Sequence, residues 1–221
     1  MPELVKIPTA SAEYQVRFDR PYVGLIANDR PKAVEAIVDA LLPFNFRLAN
    51  TQIFDNGTVA DHKVVFRIPE RGISFQFGAE EYRFGKDGSS WATADEDAEV
   101  LLAAENALLT CSGAKVGSCV LTLAMHLQPL VKTREEILAP FLPEPFKKLM
   151  IERKAQTYGN HLAWSDGDVL LDFSVAYSNG IFLRLTSQFK GHISLTDVLS
   201  KVRRDEEVVF GILGVEEATS A

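Results

Sequence analysis

The chain has 221 residues, of which 47% are hydrophobic, 24% charged and 10% aromatic. These proportions exclude wholesale disorder and fibrous repeats, and a chain of this length can bury about 70% of its unfolded surface. The net charge of −7 sits in the first half, where residues 1–113 carry 11 basic against 17 acidic groups and residues 114–221 carry 12 against 13; a general DNA or RNA binder, which needs basic groups to displace phosphate counterions, is disfavoured.

Residues 1–12 lack the basic start and apolar stretch of a secretory signal, and no apolar run approaches the length of a membrane span. The expectation is a soluble, cytoplasmic protein without a membrane partner. Cys111 and Cys119 are too few for a disulfide framework and are expected to be buried thiols.

In chain order, Tyr14, Val16 and Phe18 alternate with polar residues and an apolar run continues to Ala27, which predicts a strand or bent strand pair over 13–27. Asp29 and Pro31 then open a helix whose Val34, Ile37, Val38, Leu41 and Leu42 share one face before Pro43 stops it. A meander of three strands follows over 46–54, 63–68 and 73–84, with turns at Asp55-Asn56-Gly57 and at Pro69-Glu70-Arg71-Gly72. Thr93 with Glu96 makes a capping box for a second helix with Leu101, Ala104 and Leu108 inward, ending at Gly113.

The order then repeats. A strand over 116–127 leads to a helix capped by Thr133 and Glu136, and three strands over 155–164, 169–177 and 181–187 turn at Asp166-Gly167 and Asn179-Gly180. A last helix starts at Ser194 with Leu195, Val198, Leu199 and Val202 on one side, and Glu206 marks a break on that stripe. Leu42-Pro43-Phe44-Asn45-Phe46 and Leu142-Pro143-Glu144-Pro145-Phe146 echo one another. The fold class expected is α+β: an internal duplication of a β-α-β-β-β-α unit, with halves 1–113 and 114–221 that can form one pseudo-symmetric domain. Each half would be an antiparallel sheet covered by helices on one face, the other face left open.

The open faces carry the candidate site. A three-residue loop Ser178-Asn179-Gly180 pairs Phe173 with Leu185 and Val175 with Leu183, and an Asp166-Gly167 turn sets His161 opposite Asp172. His161, Asp172, Ser174 and Arg184 become neighbours on one polar face. A hydroxyl, an imidazole and a carboxylate invite comparison with a hydrolase, but a serine nucleophile is presented on a sharp turn beside oxyanion donors, and a mid-strand Ser174 has its backbone committed to the ladder. No catalytic residue is assigned. In the first meander, pairing Ile68 with Ile73 and Phe66 with Phe75 sends Arg67, Ser74 and Gln76 to the open side, so each half shows an arginine able to meet a carboxylate, a phosphate or an acidic peptide.

Other motifs carry less. Gly85-Lys86-Asp87-Gly88 lacks the spacing and the Ser or Thr of a phosphate loop, and Asp166-Gly167-Asp168 lacks the closing glutamate of a calcium loop. His62, His126, His161 and His192 lie in separate elements, so neither a metal nor any other cofactor is expected. Trp91 and Trp164 are expected in the core, and Lys147, Lys148, Arg153 and Lys154 on a solvated helix end.

The hairpin 65–68 to 73–77, the segment 116–130 after a long helix and Leu170-Leu171-Asp172-Phe173 give a layout similar to a sporadically distributed bacterial family of uncharacterised proteins of about 250 residues. The resemblance implies the duplicated fold and carries over no functional residue. The expected function is a non-enzymatic binding or interaction module whose open sheet faces receive a protein or peptide partner. The alternatives are a small-molecule binder or enzyme around His161, Asp172, Ser174 and Arg184, and homo-oligomerisation through exposed strand edges.

Overall fold

A computed structural model describes residues 2–55, 57–58, 61–88, 94–153, 159–191 and 193–218. It is a mixed structure of five α-helices and ten strands among these residues: β1 (Glu3–Phe18), α1 (Arg30–Leu41), β2 (Thr51–Phe54), β3 (Lys63–Ile68), β4 (Ile73–Phe77), β5 (Glu81–Asp87), α2 (Ala94–Ser112), β6 (Val116–Pro129), α3 (Arg134–Leu138), α4 (Glu144–Arg153), β7 (Asn160–Trp164), β8 (Gly167–Phe173), β9 (Ile181–Lys190), α5 (Leu195–Leu213) and β10 (Val215–Glu217). The strands hydrogen-bond in the order β2-β3-β4-β5-β1-β6-β9-β8-β7, and β10 pairs in parallel with the start of β1. All the other pairs whose register is described are antiparallel. Contacts divide the chain into two compact units, one of residues 1–10, 122–187 and 199–221, the other of residues 11–121 and 188–198. Neither is one stretch of chain, because β1, β6, β9 and α5 each pass from one unit into the other.

Several boundaries differ from the sequence reading. The first strand starts at Glu3 and ends at Phe18, and residues 23–26 form a single 3-10 turn. Within β1 the buried positions change from odd (Glu3, Val5) to even (Tyr14, Val16, Phe18). The change of parity falls where β1 passes from one unit into the other. The strand expected over 46–54 is confined to Thr51–Phe54. The one expected over 73–84 is two strands, β4 and β5, joined through Gly78, Ala79 and Glu80, so four strands follow α1 rather than three.

The 11–121 unit buries its core beneath α1 and α2. Phe66 lies against Phe46, Phe75 and Phe77, with ring centroids 5.9 to 6.3 Å apart. The register Phe66–Phe75 and Ile68–Ile73 is the one alternation predicts. Under α2, Tyr82 donates its phenol proton to the buried carboxylate of Glu105. Burial and that carboxylate push the Tyr82 phenol far above its ordinary pKa, and Tyr14 beside it is raised for the same reasons. The helix ends on Gly113 in the left-handed region, φ 63°. The capping residue Thr93 and the expected core residue Trp91 lie outside the described residues.

In the other unit, Thr133 and Glu136 form the predicted capping box at α3. Ser194, which belongs to the unit of residues 11–121 and 188–198, accepts from the Asp197 backbone and starts α5, which passes into the other unit and runs unbroken past Glu206 to Leu213. On the helix-facing side of β9, Ser187 donates to Asp205 at 3.1 Å, and Lys201 bridges Asp205 at 2.6 Å and Asp166 at 3.5 Å. Trp164 is not in the core as expected. It stands opposite Gly167 on the sheet's outermost strand and is 38% exposed, because β7 has a neighbour on one side only.

Candidate functional site

Both hairpins that were to assemble His161, Asp172, Ser174 and Arg184 close differently. Between β7 and β8 the two turn residues are Ser165 and Asp166, so His161 lies opposite Leu170 rather than Asp172. Between β8 and β9, Phe173 pairs with Ile181 instead of Leu185, and residues 174–180 are a loop. The shifts are two and four residues. Even shifts leave every side chain on its expected face while exchanging its neighbours. Asp168, Leu170 and Asp172 therefore do alternate with the buried Val169, Leu171 and Phe173.

The consequence is a different set of partners. Asp168 takes the place expected of Asp172: its carboxylate lies 3.3 Å from His161 Nε2 and 3.5 Å from Arg184 Nη2. Asp172 instead accepts from the backbone N–H of Gly159 at 3.2 Å and of Phe173 at 2.6 Å. Arg184 Nε is enclosed and has no hydrogen-bond partner. A guanidinium held by one long contact retains most of its donor capacity.

Ser174 leaves the strand altogether and is only 6% exposed. Its hydroxyl oxygen accepts from the backbone N–H of Ala176 at 3.1 Å and Tyr177 at 3.0 Å, a local turn that competes with the ladder and ends β8 at Phe173. The loop closes where Ser174 N–H donates to Gly180 at 2.8 Å. Only glycine fits at 180, since a Cβ there would lie 2.8 Å from Ser174 Cβ and 2.9 Å from Tyr177 Cβ.

The third contact of Ser174 Oγ is His126 Nδ1, at 2.7 Å. The imidazole sits between Tyr177 and Phe182, with ring centroids 5.6 and 5.2 Å away, and Tyr177 O–H shares a 2.7 Å hydrogen bond with Thr9. Burial lowers the His126 pKa from its ordinary value, so the neutral ring is favoured. His126 was absent from the expected site. A signal for it exists: Leu121, Leu123, Met125 and Leu127 are buried along β6, and His126 falls on the opposite face with Thr122, Ala124 and Gln128. A serine that accepts two backbone N–H groups has both lone pairs committed, so Ser174 is not arranged as a nucleophile.

In the 11–121 unit the open face is a ladder of matched groups. Gln52, Val65, Gln76, Arg83 and Gln15 follow one another across five strands. Glu81 accepts from Gln15 and from Arg83 at 2.6 Å, with Arg17 at 3.7 Å, and Arg83 also reaches Glu13 at 3.3 Å. Arg67 lies opposite Ser74 as predicted and donates to Gln52 at 2.5 Å.

Among the described residues no three His, Cys, Asp or Glu side chains gather as a metal-holding group, and no helix is long and apolar enough to cross a membrane. Cys111 and Cys119 are free thiols, both raised in pKa by burial. His192 and Lys154 lie outside the described residues. No protein-family model matches the chain, and comparison with curated proteins finds no match.

Proposed function

We propose that the protein is a non-enzymatic binding module, and that the open face carrying Phe182, Arg184, Leu170 and His126 receives a peptide or protein segment. The observation that carries this reading is the state of Arg184: its side chain is 41% exposed, and its one ion-pair contact is a 3.5 Å approach of Nη2 to a carboxylate that His161 also approaches. An acceptor-rich segment, such as an acidic peptide, would complete the guanidinium's fork, and the half-buried Phe182 ring beside it would take an apolar side chain. Arg67, the other candidate, already donates to Gln52 and is a weaker anchor.

The same reading includes an internal duplication with halves 1–113 and 114–221. It is supported by the strand order, in which β1 matches β6, β5 matches β9, β4 matches β8 and β3 matches β7 about the centre, while β2 at the edge has no counterpart. The alternative of an enzyme or small-molecule binder around His161, Asp172, Ser174 and Arg184 loses its basis where Ser174 turns to His126 and Asp172 to the backbone.

The test is selection of a displayed random peptide library on the immobilised protein. Peptides enriched in Asp or Glu next to an apolar residue are expected, with binding falling about tenfold or more on Arg184→Gln and on Phe182→Ala. Arg83→Gln, on the matched face, is expected to leave binding unchanged. Equal binding to all three variants overturns the assignment.

A further inference from the structure

We propose that His126 and Ser174 form a proton-operated latch on residues 175–177 of the 174–180 loop: a neutral imidazole holds them closed around the Ser174 hydroxyl, and an imidazolium releases them. The inference goes beyond the binding reading and stands without it.

The direction of each hydrogen bond fixes the device. A serine hydroxyl has one proton and two lone pairs. Both lone pairs of Ser174 are taken by the N–H groups of Ala176 and Tyr177, so its proton is the group that points at His126 Nδ1, 2.7 Å away. Nδ1 must then be an acceptor, which places the ring proton on Nε2 and requires a neutral imidazole. Protonation converts Nδ1 into a donor aimed at an oxygen with no lone pair left. Either the Nδ1 contact breaks or Ser174 gives up one of the backbone N–H groups that shape residues 174–177.

The charges around the ring neither hold it cationic nor block its titration. From the loop, Tyr177 is the titratable side chain in contact with it. On β9, Arg184 lies two residues beyond Phe182 on the same face. On β1, whose Thr9 meets Tyr177, the nearest charged residue in sequence is Lys6. The downward shift of His126 has burial as its cause, not a neighbouring charge. The rest of the loop is anchored separately: Asn179 accepts from the Arg134 backbone at 3.0 Å and donates to the Lys132 carbonyl at 3.2 Å, and Ser174 N–H stays on Gly180. Release is therefore confined to residues 175–177, which include the 95%-exposed Val175.

The sign follows from linkage. A histidine whose folded pKa lies below the ordinary 6.5 favours the folded loop fully above that value, and the contribution is lost as pH falls through it toward the folded pKa. Hydrogen exchange at the amides of Ala176 and Tyr177, corrected for the intrinsic effect of pH, reads the latch directly, with the charge of His126 followed in the same samples by ring nitrogen shifts. Protection of both amides is expected to fall by up to about tenfold per pH unit as pH drops from 6.5 toward the folded pKa of the ring, and to level off below it. His126→Asn keeps an acceptor where Nδ1 stood and cannot titrate, so its protection is expected to be independent of pH; Ser174→Ala is expected to lack it throughout. Ring nitrogen shifts of the unaltered protein at neutral pH, expected to report the Nε2–H tautomer, give a readout that needs no variant. An Nδ1–H ring, protection that persists after protonation, a ring that stays neutral until the whole chain unfolds, or a pH response in His126→Asn like that of the unaltered protein each overturns the latch.

Discussion

The two units carry open sheet faces built by the same alternation and filled in opposite ways. In the 11–121 unit, Glu81 gathers Gln15, Arg83 and Arg17, and Arg67 is met by Gln52, so the face satisfies itself. In the other unit, Arg184 has an enclosed Nε–H with no acceptor, and His126 and Ser174 are turned into the 174–180 loop. The lesson is that the number of polar residues on a face does not distinguish a solvated surface from a receptive one; their pairing does.

The comparison can be broken or sharpened by substitution. The largest effect is expected from Gly180→Ala, because the new Cβ would stand 2.8 Å from Ser174 Cβ. Overpacking of this kind costs about 1–3 kcal/mol, read as a shift in the urea midpoint. Ser174→Ala leaves the Ala176 and Tyr177 N–H groups and His126 without their shared partner, and a loss of about 1–2 kcal/mol is expected in the same melts. A loss no larger than that of an exposed serine would mean that the loop is not organised by its hydroxyl.

Glu81→Gln is expected to cost less, about 0.5–1 kcal/mol, since the pairs it breaks are partly solvated. That difference should shrink in about 1 M salt, where the screening length falls to about 3 Å. Asp168→Asn should be the mildest, within about 0.5 kcal/mol, because its contacts to His161 and Arg184 are long. If Asp168→Asn costs as much as Glu81→Gln, the two faces are equally self-satisfied and the distinction between them fails.

Much of the fold was legible because its signals are local. The capping box at Thr133 and Glu136, the stop at Gly113 and the pairing of Phe66 with Phe75 each rest on a few adjacent residues or on a short, well-marked turn. The break between β4 and β5 was missed because Phe75, Phe77 and Ala79 continue the buried parity up to the turn and Tyr82 resumes it on the other. The site was legible by face but not by neighbour. Asn179-Gly180 looked like a tight turn, yet the Ser174 hydroxyl captured two backbone N–H groups and moved the register by four residues, substituting Asp168 for Asp172 beside Arg184.

Composition and periodicity by themselves determined the α+β class, the helices α1, α2, α3 and α5, and the alternation of faces along β3, β4 and β8, since these depend on spacings of two and of three to four along one chain. Which residues touch was decided only by tertiary structure. Register is a choice among alignments that all hide the same apolar face, and here it was made by a serine hydroxyl competing with the ladder, by a glycine close to two side chains and by a histidine arriving from a strand about fifty residues away.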